Sequence, residues 1–120
     1  LIFLSASLKG EKKNKKTIKE KMQEFKKIKD KAQPTRMKTS GSTFKNPIKQ
    51  TNKKVWELIR ESVSIDKKFG DACISDKHAN FFINKNNASF NDMKKLIDFV
   101  EKSVEKKTGI KLEKEIKILE

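Results

Sequence analysis

Between Ser89 and Ile118 the spacing of apolar residues changes once, and that change limits the folds open to the chain. Met93, Ile97, Val100 and Val104 recur at steps of four, three and four, with Leu96 beside them, which predicts a helix burying one stripe. Ser89 followed by Asp92 has the form of a capping box, and Thr108-Gly109 that of a left-handed stop. Directly after the stop the period falls to two. Ile110, Leu112, Ile116 and Ile118 fall on one face, and Lys111, Glu113, Glu115 and Lys117 on the other. This predicts a final strand with one dry and one wet face.

The remaining elements are read in the same way. Ile18, Met22, Phe25 and Ile28 put a narrow stripe on a helix of residues 17–31, ended by Pro34. Residues 34–52 read as loop with a short strand around Ser42 to Lys45. A short helix over 53–63 is expected to bury Val55, Trp56 and Ile59, and two strands are expected at 71–75 and 79–84. "LIFLSASL" reads as a strand. It is too short to span a bilayer and lacks the layout of a signal peptide. The fold class expected is α+β, a small antiparallel sheet with helices packed on one face, preceded by a linking helix.

Composition excludes more than it specifies. A single cysteine, Cys73, rules out an internal disulfide, argues against a cysteine-based metal cluster and suits a reducing cytoplasm. The net charge of +14 raises nucleic-acid binding as an alternative reading. Against it, 28 of the 30 basic residues are lysines, spread along the chain, while Arg36 and Arg60 are the only arginines. Solvated surface is the simpler explanation, and neither nucleic acid nor membrane insertion is expected.

The chemistry gathers in "SGSTFKNP", residues 40–47. Gly41 permits a positive φ or a close approach, Ser42 offers a hydroxyl, Asn46 an amide, and Pro47 stiffens the exit. Phe44 is expected to turn away from Ser42 into a core. An ordinary turn, with Ser and Asn satisfying their own backbone, fits the same residues.

"GSTFKNP", "SDKHANFFIN" and "GIKLEKEIKIL" together, in this order and spacing, resemble the C-terminal substrate-binding domain of the UDP-N-acetylenolpyruvoylglucosamine reductase family, in its shorter variant class. "IFLSASLKG" and the charged helix ending in "QP" are similar to the end of that family's flavin domain and the helix leaving it. The resemblance implies residues 1–9 as the terminal strand of a truncated FAD-binding domain, 10–33 as a linking helix and 34–120 as the substrate-binding domain. It implies a cytoplasmic enzyme of peptidoglycan precursor synthesis that reduces the enolpyruvyl group of a UDP-sugar with NADPH and FAD. Ser42 would donate a proton and Glu115 assist, while Asn46, Lys45, Lys77 and His78 would meet the substrate. The partners implied are the UDP-sugar and the flavin domain of the same polypeptide. FAD would be held mainly by that domain, which also carries the family's remaining catalytic arginine, so the chain alone is expected to be inactive. Three positions depart from the family pattern: Ala32 stands for a basic residue, Asp71 for a glycine and Cys73 for a polar side chain.

Overall fold

The computed structural model describes residues 2–35 and 37–119; Leu1, Arg36 and Glu120, and readings that fall on them, lie outside. Helix α1 (Lys15–Ala32) is followed by strand β1 (Lys38–Ser42), helix α2 (Val55–Ser62), and strands β2 (Lys68–Phe69), β3 (Ala72–Ile74) and β4 (Phe81–Asn84). Helix α3 (Phe90–Thr108) completes the set. The strands form one antiparallel sheet in the order β1-β4-β3-β2. The α+β class read from the sequence is the one observed.

Register decides which face is covered. Ala72 and Ile74 pair with Asn84 and Phe82, which puts Ala72, Ile74 and Phe82 on one side, where they join the core with Phe69. Cys73 and Ile83 face the other way, outside that cluster. Helices α2 and α3 close the covered face with Leu58, Ile59, Leu96, Val100 and Val104, none more than 1% exposed. Each such side chain contributes about 1.5–3 kcal/mol relative to an exposed one. Phe44 reaches the same core and meets Phe82 edge-on, with ring centroids 6.0 Å apart.

Helix α3 is built as its sequence predicts. Ser89 Oγ accepts from the Asp92 amide at 3.1 Å, the Asp92 carboxylate accepts from the Ser89 amide at 3.0 Å, and Gly109 ends the helix at φ 74°. Helix α1 is also present, yet its apolar stripe is left uncovered among the described residues. Ile18, Met22, Phe25 and Ile28 are 43–65% exposed, and none of its residues is buried. Lys77 Nζ bonding to the Asp30 carbonyl is its one hydrogen bond to the later elements among the described residues. The radius of gyration is accordingly 17.5 Å, against about 14 Å for a compact domain of this length.

Four expectations need correction. Residues 2–9 form no strand; a strand needs a partner edge, and none is offered among the described residues. The strand placed at Ser42 to Lys45 is centred earlier, on Lys38–Ser42. The final segment alternates in burial as expected, but its ladder shrinks to a single bridge, Phe44 to Lys114. Its partner leaves the ladder after Lys45, because Pro47 has no N–H and a turn follows. Trp56 is 38% exposed rather than buried, with Leu58 holding the core position instead. The two-residue β2 carries too little pattern to be read from sequence.

Gly70, between β2 and β3, has φ +51°, and a Cβ there would lie 2.8 Å from the Asp92 carboxylate. Gly70→Ala is expected to cost about 1–2 kcal/mol in backbone strain and about 1 kcal/mol more by pushing Asp92 off its cap. With Asp92→Ala already present, only the strain should remain. Urea denaturation of both single variants and the double variant measures that non-additivity.

Candidate functional site

Strand β1 reaches the site through an irregularity. Thr39 pairs with Ile83 and Ser42 with Phe81, so β1 holds one residue more than β4 over that interval. Gly41 absorbs the extra residue at φ 87°, where an L side chain would be strained. Its amide donates to Thr39 Oγ1 at 3.2 Å. The bulge re-aims the next residue, Ser42, which is half-buried and whose hydroxyl has no hydrogen bond among the described residues.

Beyond Ser42 the backbone is held from both sides. Lys45 N–H donates to the Glu113 carbonyl and Glu115 N–H to the Thr43 carbonyl, each at 2.9 Å. This pair of bonds fixes the C-terminal segment beside Ser42. One residue beyond Lys45, Asn46 Oδ1 accepts from the Val55 amide at 3.0 Å. Lys54, at the N-cap of α2, has no side-chain acceptor, so Asn46 caps that helix from a distant loop. The bond also fixes the orientation of the amide, leaving its NH₂ without a partner among the described residues.

These constraints close a cleft of about 280 Å³, lined by Ser42, Asn46, His78 and Glu115 together with Lys54, Trp56 and Asn80. Four of the six site residues expected from sequence therefore meet in one place. The other two do not line it. Lys45 is ion-paired with Glu113, and Lys77 donates to the Asp30 carbonyl. Phe44 borders the cleft, but its ring turns into the core against Phe82, as expected, whereas Ser42 pairs with Phe81, which lies outside that core cluster. Lys54, Trp56 and Asn80 are additions. The sequence pattern points Trp56 to the core, and nothing in the spacing marks Lys54 out from the other lysines.

His78 stands in the cleft with its ring edge-on to Phe81 at 4.9 Å and to Trp56 at 6.5 Å. Burial pushes its pKa below the ordinary 6.5, and the Arg60 charge pushes the same way, against an opposing backbone hydrogen bond. Its Nδ1 accepts from the Asn80 amide at 3.3 Å. Near neutral pH the imidazole is therefore uncharged and contacts a ligand by hydrogen bonding or packing.

A larger cavity, about 710 Å³, opens on the uncovered sheet face between Met37, Asp71, Cys73, Ile83 and Lys85. Size does not make it the better site. Asp71 there accepts from the Asn87 amide at 3.1 Å, holding the β4–α3 turn, and its charge does not border the Ser42 cleft. The Cys73 thiol is buried and its pKa is raised, chiefly by that burial, which keeps it protonated and unreactive. Among the described residues there is no group of three or more His, Cys, Asp or Glu able to hold a metal ion, and no helix long and apolar enough to cross a membrane.

The family model for the C-terminal domain of UDP-N-acetylenolpyruvoylglucosamine reductase matches residues 33–119. The chain belongs to that family. It is 73% identical over 119 residues to the UDP-N-acetylenolpyruvoylglucosamine reductase of Pelagibacter ubique strain HTCC1062, covering 99% of this chain and 39% of the relative. It is 39% identical over 118 residues to the enzyme of the same name from Wolbachia pipientis wMel, again 39% of that protein's length. The crystal structure of the Thermus caldophilus reductase superposes with a TM-score of 0.68 at 31% identity, over 89% of this chain and 36% of that one. The chain thus spans about two fifths of the reductases it matches.

The shift of His78 has a consequence for stability. Its folded pKa is depressed, so stability is fully present above the unfolded value near 6.5 and is lost as pH falls from there toward the folded pKa. NMR titration of the His78 ring protons is expected to give a midpoint below 6.5. A midpoint at or above that value would show the ring to be solvated or paired with an anion.

Proposed function

We propose that the chain is the substrate-binding part of a flavin-dependent reductase of peptidoglycan precursor synthesis. Its cleft would receive the enolpyruvyl group of UDP-N-acetylglucosamine enolpyruvate, and the product would be UDP-N-acetylmuramate. The observation that carries this reading is the convergence of Ser42, Asn46, His78 and Glu115, up to 73 residues apart in sequence, on one cleft. Family membership supports the reaction class, since the relatives bear the name of that reductase.

FAD, recharged by NADPH, would supply the hydride. The flavin would be held mainly by a domain outside this chain, and the exposed stripe of α1 offers a seam for that domain. In this division residues 1–9 belong to the flavin domain, 10–33 link the two and 34–120 bind substrate.

What this chain would add is a proton. Hydride addition leaves an electron-rich carbon that must be protonated to give the lactyl ether. The Ser42 O–H bond breaks as the new C–H bond forms, and the oxygen then recovers a proton from solvent. A serine hydroxyl is a weak acid, so the transfer needs the carbon close by and the departing negative charge stabilised. Lys54 and the N-terminus of α2, which line the same cleft, would supply positive potential. Glu115 would assist at the carboxylate end of the enolpyruvyl group, and the Asn46 NH₂ and His78 would hold the substrate. Lys45 and Lys77 each hold an exposed contact, to Glu113 and to the Asp30 carbonyl, that costs little to share or exchange for a diphosphate.

In the intact enzyme, Ser42→Ala should leave flavin reduction by NADPH unchanged and slow reoxidation by the UDP-sugar by about 10²–10⁴-fold, the range of a lost general acid. Glu115→Gln should keep substrate affinity within about tenfold, about 1.4 kcal/mol, while slowing reoxidation more. Stopped-flow absorbance of the flavin separates the two half-reactions. Unimpaired reoxidation in Ser42→Ala would refute the proton-donor role.

A further inference from the structure

The sheet runs out one residue too early for the strand it has to hold. β4 begins at Phe81, opposite Ser42, so no further β4 residue follows that could pair with Phe44. The outer side of Phe44 is already committed, because Lys45 N–H and the Thr43 carbonyl bond to Glu113 and Glu115. The inner N–H and C=O of Phe44 are buried and would be unsatisfied. The Asn80 carboxamide takes both: its Oδ1 accepts from Phe44 N–H at 3.0 Å, and its Nδ2 donates to the Phe44 carbonyl at 2.8 Å. The Asn80 backbone carbonyl accepts from the Thr43 amide at 2.8 Å. Asn80 is 3% exposed, so these bonds are shielded from competing water.

We propose that Asn80 is the positioning residue of the site. Its side chain stands in for a missing strand residue and fixes the Thr43–Phe44 backbone, which carries Ser42 on one side and anchors Glu115 through the Thr43 carbonyl on the other. One carboxamide therefore sets two catalytic groups at once without touching the reacting atoms. The roles of Ser42 and Glu115 are those of the proposed function; the brace is a matter of geometry alone.

Asn84 supplies an internal control. Its carboxamide braces Ala88 in the same two-point fashion, at 2.9 and 3.2 Å, and it does not line the Ser42 cleft. Amide hydrogen exchange on the 120-residue chain should show Lys45 and Glu115 exchanging roughly tenfold faster in Asn80→Ala, the effect of one buried hydrogen bond, beyond any change at Val100 in the core. Asn84→Ala should leave that difference unchanged. If Asn80→Ala does not fold, Asn80→Asp keeps the volume, loses the donor to the Phe44 carbonyl, and should give the same pattern. Lys45 and Glu115 tracking Val100 in the folded variant would overturn the brace. In the intact reductase, Asn80→Asp should slow flavin reoxidation roughly tenfold with reduction by NADPH and its KM unchanged. Ser42→Ala is measured beside it. Slow reoxidation in Ser42→Ala with normal reoxidation in Asn80→Asp overturns the positioning role. Normal reoxidation in Ser42→Ala refutes the proton-donor reading instead, and exchange alone then decides the brace.

Discussion

Two backbone hydrogen bonds, from Lys45 to Glu113 and from Glu115 to Thr43, join the end of the chain to the loop after β1. Without them Glu115 would lie on a free tail and the cleft would have one wall fewer. The pairing is short because Pro47 turns the loop away, so it depends on support from behind, through Asn80, and from beside it. The Gln50 side chain adds that lateral support, donating to the Lys111 carbonyl at 2.8 Å and accepting from the Lys111 amide at 3.1 Å. Carboxamides thus complete at Phe44, Lys111 and Ala88 the pairing that regular strands would otherwise provide.

The parts of the fold legible in the sequence are those set by local rules. Helix α3 shows a stripe, a capping box and a glycine stop, and all three act as written. The C-terminal segment was half legible. Alternation gave the face of Glu115 correctly, but the number of rungs depends on how long its partner stays extended. Trp56 was misread because on a short helix periodicity marks a stripe without saying where the neighbouring layer ends. The roles of Asn46 and Asn80 are not legible at all, since a carboxamide that mimics backbone has no sequence period. The resemblance named Asn46 as a substrate contact, whereas the fold gives its carbonyl oxygen to Val55 and leaves its NH₂ for a ligand.

Charge deserves the opposite emphasis from the one composition suggests. Several lysines are drawn into structure: Lys114 pairs with Glu101, Lys53 with Glu61, and Lys107 reaches the Glu61 carbonyl at the end of α2. Most of those on α1 are solvated around an apolar stripe that no other element covers among the described residues. At the cleft itself the positive charge is local, from Lys54 at the start of α2.

If the chain acts as proposed, the substrate enters the smaller cleft at Ser42 and not the larger cavity around Cys73. Backbone amide shifts of the intact enzyme, followed while UDP-N-acetylglucosamine enolpyruvate is added, test this directly. The account predicts the largest changes at Ser42, Asn46, Trp56, His78 and Glu115. Changes gathered instead at Met37, Asp71, Cys73 and Ile83 would contradict it.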